Sequence, residues 1–79
     1  MGLAITTAKK RVLAALEKEP KHGYILAQEL GVRGSTIYEH LDQLEEHDYI
    51  EAENADRRRV YTLTEKGELI LEAEQQGGD

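Results

Sequence analysis

Apolar positions early in the chain recur at helical spacing. Ala8, Val12, Ala15 and Leu16, with Leu13 flanking, follow the N-cap candidates Thr6 and Thr7 and stop at Glu19-Pro20, which predicts helix 1 over about 7–19. Tyr24, Ile25, Ala27 and Leu30 form a second, shorter run ending at Gly31, which predicts helix 2 over about 24–30 with Gly31 as a left-handed terminator. After Gly31-Val32-Arg33-Gly34, Thr36 and Glu39 have capping-box spacing and Ile37, Leu41 and Leu44 recur at i, i+4 and i+7, predicting helix 3 over about 35–47. From Tyr49 the period becomes two. Ile50 and Ala52 alternate with Glu51 and Glu53, Asn54-Ala55-Asp56 is rich in turn formers, and Val60-Tyr61-Thr62-Leu63 favours strand, so a hairpin is expected over about 49–63. Thr64 is placed to cap a last helix through about Gln76.

The pattern makes one domain over residues 1–79, mainly α with a small β-hairpin: three helices, a two-stranded wing and a C-terminal helix. Two helices joined by a short, Gly-containing turn form a helix-turn-helix, and the hairpin makes it winged. Ala27 is small where helices 2 and 3 must cross closely.

Length and composition narrow the function. With 79 residues, no Cys, no Phe and no Trp, the chain is too small for most enzymes and carries neither disulfides nor thiolate metal sites. No leader or membrane span is read, so a cytoplasmic protein with no membrane partner is expected. The net charge of −6 argues against nucleic acid until it is read by position. Residues 1–22 sum to +3 through Lys9, Lys10, Arg11, Lys18 and Lys21 against Glu17 and Glu19. Residues 23–56 sum to −8, Arg57 to Arg59 add +3, and the remainder returns −4. Sixteen acids against five lysines also suggest a halophile's cytoplasm, where strong screening tolerates an acidic shell.

The runs His22-Gly23-Tyr24, Ser35-Thr36-Ile37-Tyr38 leading to Leu41 and Leu44, and Arg58-Arg59-Val60-Tyr61-Thr62-Leu63-Thr64-Glu65-Lys66-Gly67 resemble the winged-helix transcriptional regulators of the PadR type, with MarR-type and ArsR-type relatives close behind. The resemblance spans about residues 8–72. It implies a homodimeric repressor of double-stranded DNA, with helix 3 reading the operator and the wing arginines on phosphate or in the minor groove. Such regulators usually carry basic residues on the exposed side of helix 3, where this chain has Glu39, Asp42, Glu45 and Glu46, and Asp48 stands where the family tends to have Gly. They also commonly extend into a longer C-terminal helical region, so with 79 residues no separate effector domain is expected and a small-molecule effector is disfavoured.

With Ile37, Leu41 and Leu44 turned inward, Thr36, Glu39, His40, Gln43 and Glu46 face out at 3.6 residues per turn, Glu46 lying away from the groove. Gln43 pairs well with adenine and Glu39 accepts from cytosine N4. The candidate DNA-binding set is Arg33, Ser35, Thr36, Tyr38, Glu39, His40, Gln43, Arg57, Arg58 and Arg59. Arg33 has two readings, a phosphate contact or a pair with Glu29; Lys9, Lys10 and Arg11 suit phosphate or plain solvent equally. The four tyrosines are expected in the core, with Tyr38 the exception. His40 and His47 lack a third convergent ligand, and Ser35 has no nucleophile elbow, so no metal, no cofactor and no catalysis are expected. Leu69, Ile70 and Leu71 cannot all face one core; with Leu3 and Ile5 they are the candidate dimer surface. The alternative function is a winged-helix module that uses an acidic helix 3 to bind a protein.

Overall fold

The computed structural model describes residues 5–77, with side chains through Gln75. Its elements are α1 (Thr7–Lys18), β1 (Lys21–His22), α2 (Gly23–Leu30), α3 (Gly34–Glu46), β2 (Ile50–Ala55), β3 (Arg58–Leu63) and α4 (Glu65–Gly77). Every expected helix and the hairpin are present, with ends shifted by one residue.

The helix termini follow from local chemistry. Thr6 caps α1 by accepting from the Lys9 N–H at 3.2 Å, and Pro20 drives Glu19 into extended backbone. Gly31 terminates α2 at φ 68; its N–H donates to the Gln28 carbonyl at 3.3 Å and the Val32 N–H to the Ala27 carbonyl at 3.0 Å, a Schellman closure that wants a residue without a Cβ at this φ. α3 ends the same way, with Asp48 at φ 63, Asp48 N–H on the Glu45 carbonyl and Tyr49 N–H on the Leu44 carbonyl, both at 3.0 Å. Asp tolerates the left-handed region, so the motif survives without Gly. The Thr36–Glu39 capping box does not form: Thr36 is already inside α3, two residues after its first residue Gly34, and Arg33 is the cap, with no side-chain hydrogen bond.

The sheet has three strands in the order β1-β3-β2, not the two expected. β2 and β3 pair antiparallel from Ile50↔Leu63 to Ala55↔Arg58, and β1 adds Lys21↔Tyr61 and His22↔Val60 on the other edge. Two residues are too few for an alternation to be read, which is why β1 left no trace in the pattern. The core lies between α1, α2, α3, the sheet and α4: Val12, Leu13, Leu26, Ile37, Leu41, Leu44, Ile50, Tyr61 and Leu71 are all but fully buried. α4 is anchored by its first turn. Thr64 donates its hydroxyl to the Asp48 carbonyl at 2.7 Å and accepts from the Gly67 N–H at 3.0 Å, while a Cβ on Gly67 would sit 2.1 Å from the Tyr49 carbonyl oxygen. Only glycine fits where the helix crosses that backbone.

Candidate nucleic-acid interface

The wing tip is a two-residue turn, Asp56-Arg57, with both residues at positive φ, 49 and 68. Primed turns of this kind match the twist of a hairpin and favour Asn-Gly or Asp-Gly. Asp56 obeys that preference and Arg57 does not, so a long cationic side chain occupies a position where an L residue is strained by about 1–2 kcal/mol. Beside the tip, β1 stops after His22 because the chain turns off into α2. The β3 edge at Arg58 and Arg59 is therefore left open on that side, and a cleft of about 480 Å³ forms there, lined by His22, Tyr24, Ile25, Tyr38, Arg57, Arg58 and Arg59.

Four members of the expected DNA-binding set, Tyr38 and the three arginines, are thus brought together by the start of α3 and the wing. Ser35, Thr36 and Glu39 are exposed on α3 next to Tyr38, itself 42% exposed; His40 and Gln43 are half-buried, and the Nδ1 of His40 has no hydrogen-bond partner among the described residues. Arg33 is exposed, and Glu29 does not serve it. Glu29 instead accepts from Lys21 Nζ at 3.0 Å, with Glu19 at 3.6 Å, and this pairing raises the Lys21 pKa above its ordinary value despite partial desolvation. Two other expectations are corrected. Lys9, read as part of a solvent or phosphate face, is buried, because its position falls on the inward side of α1. Tyr24, read as core, is 66% exposed: Leu26 and Ala27 take the inward face of the short α2, and the Tyr24 hydroxyl accepts from Gln28 Nε2 at 3.1 Å one turn later. Arg11, Lys18 and Lys21 line a separate groove with Glu29 and Leu30, apart from the wing cleft.

The wing arginines are not equivalent. Arg59 Nη2 donates to both carboxylate oxygens of Glu45, 3.1 Å from each, and its guanidinium carbon lies 5.9 Å from the centre of the Tyr61 ring. An exposed pair of this kind contributes about 0.2–1 kcal/mol. Arg57 and Arg58 have no ion-pair partner among the described residues. The Tyr61 phenol beneath Arg59 has its pKa raised, first by burial, against the opposing pull of Arg59 and with smaller raising effects from Tyr38, Glu45 and Asp42. Glu45 therefore faces the sheet through its pairing with Arg59, while Glu39, Asp42 and Glu46 are exposed on α3. Nothing in the sequence pattern signals the Arg59–Glu45 pair, whose partners are 14 residues apart and meet only through the hairpin's packing on α3.

The HTH helices and the scaffold helices differ at their starts. α1 and α4 are capped by threonine hydroxyls, whereas α2 and α3 have no side-chain cap. Their first amides receive no side-chain cap from His22 or Arg33 and carry the positive end of the helix dipole. Of the expected dimer residues, Leu71 is fully buried in its own chain and cannot reach a partner. Leu69 is 61% exposed, Ile5 and Ile70 are packed partly against the core, and Leu3 lies outside the described residues. No group of three His, Asp or Glu residues that could hold a metal occurs among the described residues, and none of their helices is long and apolar enough to cross a membrane.

The chain is 34% identical over 70 residues to an uncharacterised HTH-type transcriptional regulator of Methanocaldococcus jannaschii, covering 82% of this chain and 74% of that one. Among the solved structures that share its fold are two at 26% identity. YusO of Bacillus subtilis superposes with a TM-score of 0.87 at 26% identity, covering 91% of this chain and 54% of its own. The transcriptional regulator BldR of Sulfolobus solfataricus does so with a TM-score of 0.83 at 26% identity, covering 89% and 53%. The chain thus spans about half the length of these two structures. The model of the transcriptional regulator PadR-like family matches residues 12–73, from the core of α1 through the wing to α4. A winged helix-turn-helix with this match is a regulator rather than an enzyme: the chain belongs to the PadR-like family of transcriptional regulators.

Proposed function

We propose that this chain binds double-stranded DNA sequence-specifically as a homodimeric repressor, with α3 in the major groove and the wing tip on phosphate or in the adjacent minor groove. The observation that carries the reading is Arg57. It keeps a cation at a turn position where glycine would be unstrained, next to Arg58, and neither has an acidic partner among the described residues. Strain retained at a surface position points to a use for the side chain. The uncapped start of α3, the exposed Arg33, Ser35 and Thr36, and the cleft beside Tyr38 add further donors within the same surface. In this arrangement Thr36, Glu39, His40 and Gln43 read bases, while Arg33, Tyr38 and the wing hold the backbone. Leu69 is the apolar anchor of the twofold contact.

An electrophoretic shift with duplex from the region upstream of the gene tests this. The wild type is expected to bind, and Arg57→Ala with Arg58→Ala to weaken binding to every sequence. Gln43→Ala should change sequence preference instead. Unchanged affinity in the double variant contradicts the wing assignment. Absence of binding at low salt together with capture of basic proteins supports the protein-binding alternative.

A further inference from the structure

The three wing arginines are equal in sequence and unequal in space, and the difference originates in α3. We infer that Glu45 is an internal counter-anion for Arg59, a positioning residue that holds the wing against α3 and withdraws one of the three arginines from the phosphate-binding charge. This deepens the DNA-binding reading above and rests on it.

The geometry has three parts. β3 alternates, so Arg59 and Tyr61 project from the face of the sheet covered by α3, while Arg58 and Val60 project from the other. Tyr61 is buried and gives the Arg59 guanidinium a ring to lie over at 5.9 Å, with Nη2 directed at the helix. Glu45, one turn after Leu41 on the α3 flank nearest the wing, then takes the Nη2 donor with both oxygens. A phosphate reaching Arg59 meets a guanidinium whose charge is already paired and whose Nη2 is engaged by a carboxylate. Arg57 and Arg58 meet no such competitor. The pair also neutralises Glu45, one of the four acids on α3, so part of the negative charge that opposes DNA is cancelled inside the protein.

The test is the salt dependence of duplex binding for four proteins: wild type, E45Q, R59A and E45Q/R59A, each checked for fold by circular dichroism. Each phosphate contact contributes about 0.9 to the slope of log affinity against log salt. R59A is expected to leave the wild-type slope nearly unchanged, because Arg59 is held by Glu45. E45Q frees Arg59 for phosphate and steepens the slope by about 0.9, so its advantage over wild type grows roughly 3.5-fold between about 200 mM and 50 mM salt. Adding R59A to E45Q should remove that gain. A wild-type slope that falls by about 0.9 in R59A, or an E45Q slope equal to wild type, overturns the inference while leaving DNA binding intact. A thermal double-mutant cycle on the same four proteins reads the pair without DNA: coupling between the two positions at low salt that vanishes near 1 M is expected, and zero coupling at low salt overturns it. Failure of every variant to bind duplex would instead refute the DNA-binding reading, whatever the cycle shows.

Discussion

Replacing Arg57 with glycine separates the stability of the wing from its use. Arg57 sits at φ 68 in the second turn position, where an L residue carries about 1–2 kcal/mol of strain. Glycine relieves that strain but adds backbone freedom to the unfolded chain, which offsets about 0.5–1 kcal/mol. The net expectation is a more stable protein by about 0.5–1 kcal/mol. At about 4–8 °C per kcal/mol for a domain of this size, the melting temperature rises by about 2–8 °C. DNA affinity should move the opposite way, with the salt slope falling by about 0.9 as one phosphate contact is lost. Thermal melts followed by circular dichroism and fluorescence anisotropy of labelled duplex against salt give the two numbers on one sample. A lower melting temperature would show that the turn is not strained as described. A higher melting temperature with unchanged binding would show that the strain serves something other than DNA.

Three further substitutions or conditions probe the rest of the molecule. Gly67→Ala pushes a Cβ toward the Tyr49 carbonyl oxygen, 2.1 Å away before relaxation, and should cost about 1–3 kcal/mol in denaturant unfolding; a neutral result would mean that α4 shifts freely over the turn after α3. Leu69→Glu alters a side chain 61% exposed in the single chain and should change its stability by less than about 0.5 kcal/mol, while sedimentation should shift the proposed dimer toward monomer; an unchanged sedimentation coefficient removes Leu69 from the proposed interface. For alkaline pH the sign follows from Tyr61, whose folded pKa is raised above the ordinary 10.0 mainly by burial. Its contribution to stability is complete below the unfolded pKa and is lost as pH rises through the higher folded value. Lys21, raised by Glu29, acts in the same direction. Stability should therefore fall above about pH 10, with one phenol titrating late by ultraviolet difference absorbance and Tyr61→Phe removing that late step; four tyrosines titrating together would contradict the buried placement.

The helices and the hairpin were legible because their signals are local. Ile37, Leu41 and Leu44 repeat with the helical period and all three are buried; Gly31 and Asp48 stand where left-handed backbone closes a helix. β1 was not legible, since two residues carry no period and its pairing with Val60 and Tyr61 is set only once α1 and α2 pack. The wing arginines were legible as a triplet but not as individuals. What distinguishes Arg59 is the face of β3 it occupies and a glutamate 14 residues earlier, both tertiary facts. Tyr24 was misread for a related reason: apolar residues crowd the start of α2, and the inward face of eight residues has room for Leu26 and Ala27 before it has room for a tyrosine ring.

That surface also recasts the acidic α3. Glu45 is held by Arg59, so its charge is partly neutralised within the protein, while Glu39, Asp42 and Glu46 remain exposed on the helix. The most direct test of the central claim is footprinting of the protein on its own upstream DNA at low and high salt. Two protected half-sites are expected, centred about 34 Å apart on one face of the duplex, with protection weakening as salt rises. No protection at low salt would contradict it.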